Sequence, residues 1–374
     1  MKNAEILSQR VLCREPGRYI GWPTITKAAN GDLLAVFSGD RDGHVCMFGK
    51  TQMVRSEDDG KTWSPPVTIT DTLFDDRDAG ITTLFDGTLL LSWFTSYHHP
   101  DDPRYGDSSV YADFFKGRER WRPVIEKITE EDKVRWLGRP LDPDKHQWDS
   151  GHWTRRSVDN GYTWEEPVKV TATTPHGPVQ LSDGSVILIG TGFYEGRECV
   201  VTERSYDNGK SWTVENAFEN TADGEGGGFA EPHLVETDEK KIVAMFRYIR
   251  GEYYKDVLWQ AVSGDGGKSW SKPKPSIVWG EPPHLIRLKD GRLLVTYGHR
   301  RKPYGERACL SRDGGRTWDY ENEIILCDHE FGDFGYPASV ELDDGTIITV
   351  YYARPGSDEK QCLMATYWRP YDSF

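Results

Sequence analysis

The sequence contains no long hydrophobic run. No segment approaches the roughly eighteen consecutive apolar residues of a membrane-spanning helix, and the opening stretch, MKNAEILSQRVLCREPGRYI, lacks the apolar core of a secretory signal peptide. Runs rich in Lys and Arg are also missing, and the formal net charge is −14, from 46 basic and 60 acidic side chains. These absences argue against a membrane protein and against a partner that is nucleic acid or an anionic membrane.

Cysteine is scarce and scattered. The chain has six cysteines and no CxxC spacing, which argues against a disulfide framework and against a zinc site. Reduced thiols and the missing leader together predict a cytoplasmic protein; the alternative is a leader that has been removed. The cysteines are Cys13, Cys46, Cys199, Cys309, Cys327 and Cys362.

Helix-forming runs are few, whereas turn-forming and aromatic residues are abundant. The 38 glycines, 21 prolines, 14 tryptophans and 18 tyrosines lie among short β-branched segments, which is typical of an all-β chain. A hydrophobic fraction of 37% is enough for a core in a chain of 374 residues. We therefore expect an all-β fold with many turns.

One short motif occurs five times. The pattern Ser-x-Asp-x-Gly-x-Thr/Ser-Trp begins at Ser56, Ser157, Ser205, Ser263 and Ser311. The Asp and hydroxyl side chains suit hydrogen bonds to nearby backbone amides, Gly permits a positive φ, and Trp anchors the turn in apolar packing. These fixed residues form no catalytic set, so we interpret the motif, called here the tryptophan turn, as a folding device.

A second repeat lies between the tryptophan turns. Six segments read as strand, tight turn, strand, and in five of them the turn is Asn-Gly or Asp-Gly, which strongly favours a β-hairpin. Six hairpins, each followed by a third strand, predict six four-stranded sheets, and radial closure is how repeated meanders hide their edges. The sequence therefore predicts a six-bladed β-propeller. The segments begin at Trp22, Asp78, Pro175, Glu231, Pro282 and Tyr336.

Two further features concern the domain organisation. The last hairpin is followed by a third strand but no tryptophan turn, so we expect the N-terminal segment EILSQRVLCRE to supply the fourth strand and close a single domain over residues 1–374. Residues 96–153 are an insertion within the second blade, and their apolar spacing predicts one or two short helices over one face. The sequence does not specify the oligomeric state.

The propeller topology brings the starts of first strands and the ends of second strands to one mouth of the central channel. Ionisable and aromatic side chains are concentrated at these positions, which makes the mouth the candidate binding site. First strands contribute Trp22, Asp78, His176, Glu231, His233, His284 and Tyr336. Second strands and the loops or strands after them contribute Arg41, Asp42, Arg247, His299 and Arg307.

The tryptophan turns resemble the Asp boxes of the sialidase (neuraminidase) superfamily, and the six-hairpin plan covers essentially the whole chain. The resemblance implies a retaining exo-glycosidase with a tyrosine nucleophile, a glutamate that activates it, an aspartate acid/base and three arginines that hold the carboxylate of the sugar. A neutral tyrosine suits an anionic sugar, because a carboxylate nucleophile would be repelled by it.

The resemblance implies roles for particular residues. Tyr336 is similar to the nucleophile at the start of the last blade, and Glu231 opens the fourth hairpin as the activating glutamate does. Arg247, sixteen positions later (247 minus 231), and Arg307, just before the fifth Asp box, are similar to two of the carboxylate-binding arginines. Arg41 resembles the arginine that follows the first hairpin, and either Asp42 or Asp78 is expected to protonate the leaving oxygen.

One motif departs from the family pattern. Where the family has Arg-Ile-Pro at the first hairpin, this sequence reads Gly21-Trp22-Pro23. A stacking Trp22 indicates a sugar face rather than a carboxylate clamp. We therefore expect hydrolysis of a small carbohydrate with a terminal acidic sugar other than sialic acid, without a cofactor.

The histidines keep other functions open. His176, His233 and His284 begin adjacent hairpins, and His299 ends a second strand. The first three could hold a divalent metal, or one could be the base of a lyase that removes a proton from a uronate. A non-catalytic carbohydrate-binding propeller is the third hypothesis.

Overall fold

The computed structural model describes residues 4–97, 121–137, 150–221, 228–237, 240–249, 257–357 and 359–371. Within these ranges the chain forms six antiparallel sheets around one axis, and this confirms the predicted six-bladed β-propeller. Each blade is a meander in which consecutive strands pair, and its innermost strand comes first in the sequence. Blade 6 differs in one respect, because its outermost strand comes from the N-terminal segment.

The strands of the first three blades are as follows. Blade 1 contains β2 (Tyr19–Lys27), β3 (Leu33–Arg41), β4 (Lys50–Ser56) and β5 (Val67–Thr70). Blade 2 contains β6 (Asp75–Thr83), β7 (Leu89–Ser96), β8 (Ser150–Ser157) and β9 (Val168–Val170). Blade 3 contains β10 (Ala172–Thr173), β11 (Val179–Gln180), β12 (Val186–Tyr194), β13 (Arg197–Ser205) and β14 (Thr213–Glu219); β10 and β11 both pair with β12 and form an interrupted innermost strand.

The other three blades complete the ring. Blade 4 contains β15 (Gly228–Glu236), β16 (Ile242–Ile249), β17 (Val257–Ser263) and β18 (Lys274–Trp279). Blade 5 contains β19 (Pro283–Arg287), β20 (Leu293–His299), β21 (Tyr304–Ser311) and β22 (Ile324–His329). Blade 6 contains β23 (Gly335–Glu341), β24 (Ile347–Ala353) and β25 (Cys362–Pro370), and its outermost strand is β1 (Ala4–Cys13), which pairs antiparallel with β25.

The hydrophobic core lies between neighbouring blades rather than at the centre of the ring. One cluster joins Phe37 of blade 1 to Ile348 of blade 6, and another joins Ile187 of blade 3 to Phe246 of blade 4. Since each blade is covered on both faces, the middle strands are buried along nearly their whole length, as β24 shows. Blade-to-blade packing therefore holds the ring rigid around the channel.

Three of the tryptophan turns, those that end at Trp212, Trp270 and Trp318, hydrogen-bond their blade to the one before it. In the turn that begins at Ser263, Asp265 Oδ1 accepts hydrogen bonds from Ser263 Oγ at 2.8 Å and from the Ser269 amide at 2.9 Å. Trp270 Nε1 then donates to Thr202 Oγ1 of blade 3 at 3.0 Å. Trp212 and Trp318 make the same kind of bond to the third strand of the preceding blade.

The described part of the insertion is helical, with one helix at Glu130–Leu137 and a helical turn at 121–125. The rings of Trp136 and Trp153 lie 5.2 Å apart and those of Trp121 and Phe48 lie 4.7 Å apart, so the insertion packs on blades 1 and 2. This confirms the predicted helices; residues 98–120 and 138–149 lie outside the described residues. None of the described helices has the length and hydropathy needed to cross a membrane.

Candidate active site

A shared backbone irregularity positions four side chains at the channel mouth. The innermost strands of blades 1, 2, 4 and 6 each contain a register shift near their start, and a non-glycine residue there has a positive φ. These residues are Trp22 (53°), Asp78 (53°), Glu231 (48°) and Tyr336 (54°). A bulge re-aims a side chain, and the left-handed conformation costs about 1–3 kcal/mol per residue. Such strain at four equivalent positions is typical of a functional site and makes this mouth the candidate.

Tyr336, Glu231 and Arg247 form the centre of the site. The Tyr336 hydroxyl donates a short hydrogen bond to Glu231 Oε1, and Arg247 Nη1 donates to Glu231 Oε2 at 2.9 Å. Arg247 comes next to Glu231 because it pairs with Ala230 in the β15–β16 hairpin. Tyr336 and Glu231 were predicted as nucleophile and activating base and Arg247 as a substrate-binding residue, and the structure brings the three side chains into contact.

The protonation states of this pair suit nucleophile activation. Burial raises the pKa of Glu231, but the Arg247 charge and the hydrogen bonds from Tyr336 and Arg247 outweigh it, so that the pKa is lowered overall. Burial and the neighbouring Glu231 charge raise the pKa of Tyr336 well above its ordinary value. The phenol therefore keeps its proton at rest, and an ionised carboxylate stands ready to accept it.

Two guanidinium groups flank Tyr336. Arg247 forms a bidentate ion pair with Glu281, with Nε–Oε2 and Nη2–Oε1 distances of 2.7 and 2.9 Å. Arg300 lies 5.6 Å from the Tyr336 ring centroid and 3.9 Å from Glu281 Oε1. Arg300 Nε and Nη2 have no hydrogen-bond partner among the described residues, although they are buried. Unpaired buried donors of this kind suit an anionic ligand.

Asp78 is the carboxyl group that faces this centre. Its backbone amide donates to Ser38 Oγ at 2.9 Å, while Oδ1 lies 3.8 Å from Arg77 Nε and has no hydrogen-bond partner in the described ranges. Burial, assisted by the Glu231 charge, raises the pKa of Asp78 to about 7 despite Arg77. Asp78 thus carries a proton close to neutral pH, which is the state of a general acid.

Trp22 and Arg41 are both buried against charged neighbours instead of lining the open mouth. Trp22 is only 1% exposed, because the guanidinium carbons of Arg77 and Arg41 lie 4.2 and 5.0 Å from its ring centroid. Arg41 is fully buried in an ion pair with Asp75. Neither side chain is accessible in the described structure, so this geometry does not support substrate contacts by Trp22 or Arg41, and both roles stay predictions.

Asp42 makes contacts at the rim instead of the centre. Its carboxylate binds Arg18 Nη1 at 2.5 Å and Trp121 Nε1 of the insertion at 3.0 Å. No hydrogen bond or ion pair in the described structure joins Asp42 to Tyr336 or Glu231. The structure thus favours Asp78 over Asp42 as the proton donor.

Arg307 and His299 are also held away from the centre. Arg307 lies on the third strand of blade 5 and turns toward the fourth, where its guanidinium donates to Cys327 O at 2.6 Å and to Asp328 Oδ1 at 2.7 Å. His299 Nδ1 lies 2.9 Å from Pro303 O, and His299 Nε2 accepts from Arg301 Nε at 3.1 Å. Both side chains bind local partners in the described structure, and their roles in substrate binding stay predictions.

The three strand-start histidines converge in the channel below the mouth. The His233 ring lies 4.6 Å from His284, and His176 lies 4.9 Å from His284. His233 Nδ1 accepts the Leu285 amide at 2.9 Å and His284 Nδ1 accepts the Ser339 amide at 3.3 Å, so each ring joins its blade to the next. His176, only 2% exposed, has no hydrogen-bond partner for either nitrogen in the described structure.

This arrangement does not suit a metal. Burial lowers the pKa of His233 to about 3 and that of His284 well below 6.5, so both rings are neutral. A neutral ring whose Nδ1 accepts an amide proton carries its own proton on Nε2, which then lacks the lone pair that a metal needs. Among the described residues, no group of three or more His, Cys, Asp or Glu side chains could hold a metal ion.

A hydrogen-bonded group centred on Asp333 lies on the rim and was not predicted from the sequence. Asp333 accepts bonds from Tyr352 Oη at 3.1 Å, Tyr19 Oη at 3.1 Å and Gln361 Nε2 at 2.8 Å, and it lies 3.3 Å from His44 Nδ1. Its partners come from distant parts of the sequence, so no local pattern reveals it. Arg300 could be predicted from the sequence, because it directly follows the second strand of blade 5, and the ends of second strands lie at the mouth.

Comparisons with known proteins agree with this architecture. The family model described as "BNR repeat-like domain" matches residues 113–349. A curated sialidase of Bacteroides fragilis is 25% identical over 222 residues, which cover 52% of this chain and 38% of that protein. The chain thus spans about two fifths of the length of this curated relative.

Solved structures share the fold. A Dyadobacter fermentans protein of unknown function is 22% identical, with a TM-score of 0.78 over 99% of this chain and 100% of that one. The intramolecular trans-sialidase of Ruminococcus gnavus is 16% identical, with a TM-score of 0.64 over 94% of both chains. An α-L-arabinanase of Penicillium chrysogenum is 15% identical, with a TM-score of 0.61 over 96% of this chain and 98% of that one.

Proposed function

We propose that this chain, which belongs to the BNR repeat-like family within the sialidase superfamily, is a sialidase-like exo-glycosidase. Its substrate is a small oligosaccharide with a terminal acidic sugar, and hydrolysis retains the anomeric configuration. The observation that carries the proposal is the hydrogen bond from Tyr336 to Glu231, braced by Arg247. A buried phenol paired with a carboxylate is an activated nucleophile.

The proposed reaction has two steps. In the first, Tyr336 Oη attacks the anomeric carbon as its proton passes to Glu231, and the glycosidic bond breaks as the leaving oxygen takes the proton of Asp78. In the second, water attacks the tyrosyl–sugar intermediate and gives a proton to Asp78, while Tyr336 recovers its proton from Glu231. Glu231 and Asp78 thereby return to their starting protonation states.

The charges at the mouth support an anionic sugar. Arg247 and Arg300 lie beside the nucleophile, and Arg300 Nε and Nη2 make no hydrogen bond to any described residue. Trp22, which stands where the family has an arginine, is buried and contributes no charge. An acidic group is therefore bound from the side of blades 4 and 5, which favours a uronic acid over sialic acid.

Product analysis by mass spectrometry tests the reaction type. The protein is incubated, with and without EDTA, with sialylated, glucuronosylated and rhamnosylated oligosaccharides. Products that together gain the mass of one water indicate hydrolysis, and EDTA has no effect on the proposed chemistry. An unsaturated product, or activity lost with EDTA, contradicts the proposal.

Two variants at the site test the mechanism. Tyr336→Phe removes the nucleophilic oxygen and Glu231→Gln removes the proton acceptor, so we expect each to lower kcat by roughly 10²–10⁴-fold. Binding of substrate, measured by calorimetry, persists in both. Tyr162→Phe, at a tyrosine that is 65% exposed, is the matched control. A non-catalytic carbohydrate-binding protein shows ligand binding but no turnover before or after these changes.

Elimination from a uronate is the second candidate. The observation in its favour is His176, whose ring lies 6.4 Å from Tyr336 and whose nitrogens have no partner in the described ranges. Burial keeps His176 neutral by lowering its pKa well below 6.5, so it is able to accept a proton. An unsaturated product that disappears in His176→Ala favours this candidate.

We also propose that the protein works in a reducing compartment such as the cytoplasm. All six cysteines are free and buried, which supports this proposal. Fractionation of cells that express the native protein tests it, and recovery from the medium contradicts it.

A further inference from the structure

A second polar group lies at the rim between blades 1 and 6 and takes no part in the proposed reaction. It consists of Tyr19, His44, Asp333, Tyr352 and Gln361 and is called here the rim network. Asp333 accepts hydrogen bonds from the two tyrosines and from Gln361, and its Oδ1 lies 3.3 Å from His44 Nδ1. A carboxylate that organises so many donors holds their side chains in fixed orientations.

The network fixes the tautomer of His44. The hydrogen bonds from its donors help to lower the pKa of Asp333 against burial, so Asp333 is ionised and only accepts. His44 Nδ1 lies 3.1 Å from the Tyr19 hydroxyl and 3.3 Å from Asp333 Oδ1, and we assign the ring proton to Nδ1, where it faces the carboxylate, while the Tyr19 hydroxyl donates to Asp333 Oδ2 at 3.1 Å. Burial lowers the pKa of His44, so the ring is neutral near pH 7. His44 Nε2 is then a hydrogen-bond acceptor.

The His44 ring is held firmly but stays accessible. Arg41 Nη2 donates to His44 O at 3.1 Å, and the His44 ring packs edge-on against Trp22 at 5.0 Å. The side chains of His44 and Asp333 are 30% and 38% exposed. His44 Nε2 makes no hydrogen bond within the described part of the chain. An oriented, solvent-accessible acceptor beside the catalytic mouth is a built recognition group.

We propose that His44, positioned by Asp333, binds a hydroxyl group of the leaving-group sugar. This inference rests on the proposed function, because it assigns the part of the same site that lies beyond the terminal sugar. The terminal sugar must lie against Tyr336, and the leaving group departs from the opposite face of its ring. Trp22 separates the two regions, with its ring 6.3 Å from Tyr336 and 5.0 Å from His44.

The charge of the rim network selects the kind of leaving group. A neutral acceptor backed by the accessible Asp333 carboxylate accepts a hydroxyl proton and repels an anionic group. The cations Arg247 and Arg300 instead serve the terminal acidic sugar. The substrate is thus an acidic sugar linked to a neutral, hydroxyl-rich sugar.

Kinetics with two substrates that share a terminal sugar test the inference. One carries a neutral sugar as the leaving group and the other a methylumbelliferyl group, which has no hydroxyl for His44. In His44→Ala we expect the ratio of their kcat/KM values to shift against the oligosaccharide by roughly five- to tenfold, mainly through KM. His44→Gln, which keeps an acceptor, restores part of the ratio. Equal losses on both substrates, or no loss on either, overturn the inference.

Asp333→Asn is the second variant, because it keeps the shape of the side chain and one acceptor oxygen for Tyr19, Tyr352 and Gln361 while it removes the charge that faces His44 Nδ1. An amide can donate to His44 Nδ1 and so reverse the tautomer, and we expect the same shift in substrate ratio as in His44→Ala. Asp343→Asn, at an exposed carboxylate of the blade 6 hairpin turn, is the control and leaves the ratio unchanged.

A spectroscopic readout separates this inference from the proposed function. Nitrogen-15 spectra of the wild-type histidine rings are expected to show His44 protonated on Nδ1 near pH 7, and addition of lactose or cellobiose to shift its Nε2 signal. If the wild-type protein turns over no glycoside, the proposed function fails, yet the sugar titration still decides the role of His44. Absence of a shift with both sugars, or an Nε2-protonated ring, overturns the inference.

Discussion

At the scale of single residues, the site places its chemistry on strained positions. Trp22, Asp78, Glu231 and Tyr336 all have a φ near +50°, a conformation that is disfavoured for residues such as Trp, Glu and Tyr. Asp78, Glu231 and Tyr336 come from alternate blades, so three strands that never pair with each other converge at the channel mouth. The interblade core supplies the stability that keeps these conformations in place.

Asp78 gives a prediction about stability and pH. Its pKa rises from an ordinary 3.8 to about 7 on folding, so the folded chain holds a proton that the unfolded chain releases above pH 4. The stability contribution of this group is therefore complete below pH 4 and is lost as the pH rises toward 7. Asp78→Asn lacks this loss and tolerates a positive φ, so we expect it to be more stable than wild type at pH 8, by on the order of a few kcal/mol, and similar near pH 4.

Chemical denaturation at both pH values measures this difference. The same substitution removes the proposed proton donor, so kcat falls while stability at pH 8 rises, as expected where function opposes stability. If Asp78→Asn has wild-type stability at pH 8, the carboxyl group is not held protonated in the folded protein.

Part of the site could be predicted from the sequence, and the rest could not, for a physical reason. Tyr336, Glu231 and Arg247 lie on hairpins whose turns are visible in the sequence, so their meeting at the mouth could be predicted. The contacts of Arg307 could not be predicted, because it lies on a third strand, where side-chain direction depends on the register with β22. The four bulges could not be predicted either, because the residues at these positions share no side-chain type that would reveal a bulge in the sequence.

At the scale of elements, the hairpin and the tryptophan turn specify the fold. The Asn-Gly and Asp-Gly turns fix the pairing of the first two strands in five blades, and those signals are local enough to be read from sequence. The partner of each tryptophan was not readable, because Trp318 donates to Gln260 of the preceding blade, which lies far away in the sequence. The blade count could therefore be predicted, whereas the blade-to-blade contacts could not.

Trp318 provides a test of this element. It is buried in the cluster between blades 4 and 5, and its Nε1 lies 2.8 Å from Gln260 Oε1. We expect Trp318→Ala to cost about 3–5 kcal/mol of unfolding free energy through lost packing, and Trp318→Phe to cost about 1–2 kcal/mol, since it keeps much of the packing but loses the hydrogen bond.

Urea unfolding of the two variants measures these costs. Ile277→Ala, at an exposed position of β18, is the control and changes stability by less than about 0.5 kcal/mol. Equal costs for Trp318→Ala and Trp318→Phe mean that the hydrogen bond between blades, rather than the packing, is what the turn contributes.

At the scale of the whole molecule, the ring is held closed by a single pairing between the two ends of the described chain. The strand β1 pairs with β25 from Ala4 to Cys13, and Gln9 Nε2 also donates to Leu326 O of blade 5 at 2.9 Å. Every other blade is built from one continuous stretch of sequence. Blade 6 therefore takes its fourth strand and part of its contact with blade 5 from β1, beside the bond from the Ser339 amide to His284 Nδ1.

Removal of residues 1–13 tests the importance of this closure. The truncated chain exposes the edge of β25 and opens the packing around Leu326, so we expect loss of most of the unfolding free energy, a lower Tm and association through the free edge. Thermal melting and size-exclusion chromatography detect these changes. A synthetic peptide of residues 1–13 added in trans is expected to pair with the edge and raise the Tm again, whereas a scrambled peptide does not. A truncated chain that stays monomeric with an unchanged Tm shows that five complete blades and a three-stranded sixth hold the ring without β1.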